Sequence, residues 1–238
     1  MKRTFLSLAL LLFLGAVSSI YSQSLRNREV ALISFNYSIH QQVSQALSEL
    51  SQYFPEVEIQ KGDKYTSVLK DRSWSLIEET LEKEFSMYIL PLNTFGRSFS
   101  YDQYGYPNVN INRALRQGTA RFYLKVDLIF SQITPTKEIG FGSTSRTRKD
   151  STETIEIEEL SGFIPEVTIT VTFFTDKGII PLQKVTGTAK ASSPWAITPD
   201  ILNGLVNNED YQADRTIDIM GLIHQAMKDV IKKFPQQR

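Results

Sequence analysis

Two segments of the chain alternate strictly, and a strict period of two leaves few folds open. From Phe122 to Phe130 the apolar residues Phe122, Leu124, Val126, Leu128 and Phe130 fall on one side, with Tyr123, Lys125, Asp127 and, further on, Ser131 on the other. From Val167 to Phe173, Val167, Ile169, Val171 and Phe173 alternate with Thr168, Thr170 and Thr172. Successive side chains of a strand point to opposite faces, so such runs bury one face and can leave the other to water. The turn Thr175-Asp176-Lys177-Gly178 then reverses the chain. Val185, Gly187, Ala189 and Ala191 continue inward with Thr186, Thr188 and Lys190 outward, which makes the second run a hairpin. The chain must therefore hold a sheet, and its apolar face needs a cover.

Helical spacing supplies the cover. Ser38-Ile39-His40-Gln41 has the form of a capping box ahead of Val43, Ala46, Leu47, Leu50 and Phe54, and Pro55 stops that pattern. Trp74, Ile77, Leu81, Phe85 and Tyr88 form a second stripe, with Glu78, Glu79, Glu82 and Lys83 away from it. A short helix is expected after Asn110 as N-cap, with Ile111, Ala114 and Leu115 inward and Gly118 at its end. Ile219, Ile223, Ala226, Met227, Val230 and Phe234 form a last stripe. Asp218 stands near its start, Lys228, Lys232 and Lys233 near its end, and Pro235 terminates it. A helical turn at Asp200 to Val206 is a further candidate.

Other strands are expected at Arg28 to Phe35, buried on both faces and ended by the turn-like Asn36, at Val57 to Gln60 ahead of the Lys61-Gly62-Asp63-Lys64 turn, and at Tyr88 to Leu92. The polar segment Gly140 to Ser151 followed by the Ile/Glu alternation of Thr152 to Leu160 predicts a projecting hairpin around residues 134 to 153. The fold class that results is α/β (α+β): a single domain with a mixed or mainly antiparallel sheet and helices on at least one face.

Residues 1–22 read as a secretory signal peptide, with Lys2 and Arg3 ahead of an unbroken apolar run from Phe5 to Val17 and then a small, polar segment. That run is shorter than the roughly 20 residues a spanning helix needs, so no transmembrane helix is expected once it is cleaved, and residues 23–238 form the domain. The expected location is outside the cytoplasm: periplasmic, associated with the outer membrane, or secreted. A chain with no cysteine leans toward a bacterial envelope rather than a eukaryotic secretory route. Its 26 basic and 26 acidic residues give no electrostatic case for a nucleic-acid partner.

Reactive chemistry finds little support. With no cysteine and only His40 and His224, a zinc site and a Ser-His-Asp hydrolase both lack parts, and no metal or other cofactor is expected. Glu153, Glu156, Glu158 and Glu159 crowd one segment and keep a carboxylate-based hydrolase as a reading, although alternating Ile and Glu also describes a charged sheet edge. Gly140-Phe141-Gly142-Ser143 lacks the further glycine or Gly-Lys-Ser/Thr of a phosphate cradle, and no helix opens after it. The stretch Ser98 to Asn110, SFSYDQYGYPNVN, places Phe99, Tyr101, Asp102, Tyr104 and Tyr106 together. Tyrosine carries an apolar face and a polar tip, so these residues, with Arg146 and Arg148 of the hairpin tip, are the candidate binding residues. The competing reading is that the loop lays its rings over its own core. Exposure of Tyr101, Tyr104 and Tyr106 on one patch is the expectation that separates the two.

Val30-Ala31-Leu32-Ile33-Ser34-Phe35 near the mature start, the Val167 to Gly178 hairpin and the closing Ile219 to Phe234 helix together resemble the bacterial envelope fold. That fold is shared by the curli secretion-channel lipoprotein, the amino-terminal domain of TolB and the activator lipoproteins of penicillin-binding proteins. The acylated cysteine of the lipoprotein members is missing here. The resemblance implies a non-enzymatic binding or adaptor protein of the envelope, with an envelope protein or a glycan as partner. A subunit of an outer-membrane pore or assembly complex is the alternative, because Ala120 to Ile133 alternates as a barrel strand also would.

Overall fold

The computed structural model describes residues 25–41, 44, 64–133, 164–192 and 219–234. The expectations for the signal segment 1–22, the strand Val57 to Gln60, the hairpin 134–153, the turn Asp200 to Val206 and nearly all of the helix 43–54 lie outside them.

Five strands form one mixed sheet in the order β2-β1-β3-β4-β5. They are β1 (Glu29–Ile39), β2 (Tyr88–Ile89), β3 (Phe122–Ile133), β4 (Ile164–Thr175) and β5 (Gln183–Lys190), and the helices are α1 (Lys64–Phe85), α2 (Ile111–Gln117) and α3 (Ile219–Lys233). β1 runs parallel to both its neighbours, whereas β3/β4 and β4/β5 are antiparallel, with Val126 opposite Val171 and Ile169 opposite Gly187. The expected α/β class with a mixed sheet is thus the observed one.

The alternating runs behave as their period dictates. Leu124, Val126, Leu128, Val167, Ile169, Val171 and Phe173 are buried in one core beneath α1 and α3, along with Ile77, Leu81, Ile223, Ala226 and Val230. On the other side Thr186, Thr188 and Lys190 are exposed, and the Thr170 and Thr186 hydroxyls meet at 2.9 Å. Where β1 and β3 begin, this second face is also covered. Tyr123, expected among the outward residues, is buried there with Ala31, Ile33, Phe99, Val109 and Ala114, because α2 and the segment before it lie across it.

Three boundaries differ from the sequence reading. β1 does not end at Asn36: Asn36 to Ile39 pair with Asp127 to Phe130, and the His40 N–H donates to the Phe130 carbonyl at 2.8 Å. Ser38 is therefore a strand residue and caps no helix. A register shift between Leu32 and Ser34 also inverts the strand, so that Val30 and Leu32 face the main core, Ala31 and Ile33 the second, and Phe35 the main core again. Tyr88 leaves the stripe it was assigned to, because α1 ends at Phe85 and Ser86 takes the left-handed conformation (φ +50). The chain then enters β2, where Ile89 points inward and Tyr88 outward, 62% exposed. Lys64, expected to close a turn, is already helical, and the rest of that turn lies outside the described residues.

At the far edge α3 sits so close to β5 that Gly187 is required. A Cβ there would lie 2.2 Å from the Ala226 carbonyl oxygen and 2.5 Å from the Val230 nitrogen.

Candidate functional site, a cleft beside the aromatic loop

The loop from Phe95 to Asn110 straddles the edge of β1. Asn108 bridges Ser34, and the Val109 N–H donates to the Ile33 carbonyl at 2.9 Å, fixing the loop at the point where β2 has ended and β1 would otherwise lie open. Phe99 drops into the second core, stacked on Phe95 with centroids 4.4 Å apart, and Tyr101 is half-buried beside it. On the other side of the edge Tyr106 enters the main core, its ring 5.3 Å from that of Phe35 and 6.2 Å from that of Trp74.

Asp102 organises the turn. One carboxylate oxygen accepts the N–H groups of Tyr104 at 2.9 Å and Tyr106 at 3.0 Å, its own N–H donates to the Tyr106 carbonyl at 2.8 Å, and Gly105 takes the positive φ of +87. The other oxygen accepts from Lys70 of α1. Lys70 occupies the apolar stripe of its helix, four residues before Trp74, and its side chain is only 4% exposed. Its ammonium lies 4.8 Å from the ring centre of Tyr106 and 5.4 Å from those of Phe35 and Tyr104. A buried ammonium requires an anion and benefits from π-faces, and this one has one carboxylate and three rings. Tyr106 is tied again at its hydroxyl, which donates to Asp71 at 2.7 Å. Burial, that hydrogen bond and the nearby carboxylates of Asp71, Asp102 and Glu78 push its ionisation well above the usual phenol range.

Between this turn and the second half of β1 lies a cleft of about 320 Å³, lined by Phe35, Asn36 and Tyr37 of β1, by Lys70, and by Asp102, Gln103, Tyr104 and Asn108 of the loop. The volume falls in the range of small-molecule sites, roughly 300–1,000 Å³. Asn36 is already engaged, donating to Asp127 at 2.5 Å and accepting from the Ser34 hydroxyl at 2.9 Å. The side-chain amides of Gln103 and Asn108 and the Tyr104 hydroxyl have no hydrogen-bond partner among the described residues; Gln103 and Asn108 are exposed at the cleft wall, and Tyr104 is half-buried there against the main core.

The candidate residues therefore separate. Phe99 and Tyr106 are core residues, Tyr106 being 3% exposed, so the three tyrosines do not share an exposed patch. The reason is the turn at Gly105, which directs Tyr104 to the cleft and Tyr106 under it. Asp102 and Tyr104 line the cleft, Tyr101 does not, and Arg146 and Arg148 lie outside the described residues, as does the Glu153 to Glu159 segment. Lys70, Gln103, Asn108 and the β1 residues went unnoticed in the sequence. A lysine on an otherwise apolar helical stripe was the one signal that could have drawn attention to Lys70. His40 is exposed and His224 half-buried, and among the described residues no group of His, Asp and Glu could hold a metal ion. No described helix is long and apolar enough to cross a membrane.

No family model matches the chain, and no curated protein matches its sequence. Solved structures do resemble it. A hypothetical protein from Chlamydia trachomatis is 13% identical, with a TM-score of 0.39, over 87% of this chain and 95% of that one. A lipoprotein from Neisseria meningitidis is 9% identical, with a TM-score of 0.35, over 76% of this chain and 99% of that one. A neuraminyllactose-binding hemagglutinin homolog from Helicobacter pylori is 10% identical, with a TM-score of 0.35, over 89% of each chain.

Proposed function

We propose that the protein is an exported, non-enzymatic binding or adaptor protein of the bacterial cell envelope, and that its contact site is the cleft between β1 and the aromatic loop. The observation that carries this reading is the division of labour within the loop. Phe99, Tyr106 and the Asp102–Lys70 pair hold it rigidly, while Tyr104, Gln103 and Asn108 present an aromatic face and unengaged amides to an open cleft. A rigid support with adaptable polar groups at its rim suits recognition. For catalysis the cleft has less to offer: the one carboxylate that lines it among the described residues, Asp102, is committed to an ammonium and two backbone N–H groups. The pore alternative has less support, because the apolar side of β3 faces α1 and α3 rather than an outer surface.

The test places a photo-crosslinking residue at Gln103 in the full-length protein, in a bacterial host that exports it. The expected result is a processed protein in the soluble envelope fraction and a specific crosslinked species, which disappears when Tyr104→Ala is combined with it at a temperature where circular dichroism shows the variant still folded. A crosslink indifferent to Tyr104→Ala, or a protein retained in the cytoplasm, would refute the reading.

A further inference from the structure

We infer that the ligand of this cleft is a neutral saccharide unit, an assignment that rests on the binding reading above. The ion pair at the floor decides the charge. Lys70 is already satisfied by Asp102 and covered by three rings, so an anionic ligand would have to displace Asp102 and a cationic one would have to displace Lys70. Either exchange strips a buried charge of its partner. What the described residues leave for a ligand is uncharged: the side-chain amides of Gln103 and Asn108, the Tyr104 hydroxyl and the part of its ring turned away from Lys70. A carboxamide offers a donor and an acceptor side by side, which matches the paired hydroxyls of a sugar ring, and each hydroxyl can give and accept one hydrogen bond. An aromatic face offers apolar area to the C–H side of the same ring with little loss of side-chain freedom. An apolar ligand would leave the amides unpaired, and an extended peptide would be held chiefly through a free strand edge, whereas the loop itself occupies the edge of β1 at Ser34.

The mature protein is titrated with neutral trisaccharides of glucose and of N-acetylglucosamine, with a galacturonic acid trisaccharide and with tri-alanine. Binding is read by saturation-transfer NMR and, in a Trp195→Phe background, by the fluorescence of Trp74, whose ring lies 5.3 Å from that of the cleft-lining Phe35. At least one neutral sugar should bind. Tyr104→Ala and the exposed pair Gln103→Ala/Asn108→Ala should each weaken it by about tenfold, the size of one lost stacking or hydrogen-bond contact. Thr186→Ala on β5 should leave it unchanged. No neutral sugar binding up to roughly 10 mM, equal binding of the acidic sugar, or binding of tri-alanine in its place would each overturn the assignment. If sugars fail but the Gln103 crosslink still depends on Tyr104, the saccharide assignment falls and the contact site stands; if both fail, both fall.

Discussion

Replacing Asp102 by alanine removes the counter-ion of Lys70 and leaves the ammonium in a place where only 4% of its side chain reaches solvent. Breaking a buried pair from one side costs about 3–5 kcal/mol, because the remaining charge is uncompensated. The Asp102 side chain is itself 20% exposed, so water can follow the deletion in from the cleft, and the lower end of that range, about 3 kcal/mol, applies. The lost acceptor for the Tyr104 and Tyr106 N–H groups adds about 1 kcal/mol. The total, about 4 kcal/mol, lowers the melting temperature of a chain of this size by roughly 8–16 °C. Lys70→Met behaves differently. The three rings keep an unbranched apolar stem, and Asp102 keeps two N–H donors and its access to water, so the cost stays under about 1 kcal/mol. The double variant should then be more stable than Asp102→Ala alone by about 2 kcal/mol, although it carries one substitution more. Urea unfolding followed by tryptophan fluorescence measures all three. Two single costs that are equal and simply add in the double variant would show that packing, and not the buried charge, ties the loop to α1.

Gly187→Ala should destabilise by at least about 2 kcal/mol in the same urea assay, because the new methyl group meets helix backbone, which yields less readily than a side-chain end. Asp229 accepts from Lys233 at 2.6 Å and from the Thr188 N–H at 3.0 Å, which hold its carboxyl below the ordinary 3.8. Its contribution is therefore present above pH 3.8 and lost as the pH falls through its lowered value, so Asp229→Asn should flatten the acid limb of the stability curve below that point. Tyr106 titrates in the opposite sense: its raised ionisation stabilises the fold fully below pH 10.0 and less as the pH rises above it. Tyr106→Phe should consequently lose less stability between neutral pH and pH 11 than the parent, measured by thermal melts.

Much of the fold was legible because the sheet and its last helix obey one period each. β3, β4, β5 and α3 follow largely from spacing, since their inward positions are apolar, although Tyr123 and Ile129 stand on the otherwise polar side of β3. The end of β1 was harder, although Phe35, Tyr37 and Ile39 alternate with Asn36 and Ser38. Asn36 favours turns and Ser38 with Gln41 mimics a helix cap, and pairing with β3 overrides both local preferences. The site was legible only in its neighbourhood. That the loop mattered could be seen in its tyrosines, but which ring turns inward depends on the Asp102 turn and on Lys70, 32 residues away in the chain. No local pattern encodes that meeting. Gly187 likewise looked like one small residue in an alternating strand, and only the approach of α3 shows why nothing larger fits.

The same helices that cover the sheet also close its edges, and this bears on where a partner can dock. At one edge the Ile89 N–H of β2 is taken by Glu82 of α1 at 2.8 Å. At the other, the Thr188 N–H of β5 is taken by Asp229 of α3, while the Thr186 carbonyl accepts from Lys233 at 3.1 Å. Free edge groups are what strand addition needs, and among the described residues these are already engaged by charged side chains, the usual guard against edge pairing. Recognition by added strands is thereby disfavoured at both β2 and β5. The face of β4 and β5 that remains presents mainly threonines and lysines to solvent, with Lys184, Thr186, Thr188 and Lys190 exposed. Contact surface that is concave, partly apolar and carries uncommitted polar groups occurs where the loop crosses β1, and it exists because β2 is only two residues long and leaves the rest of that strand to be bordered by the loop.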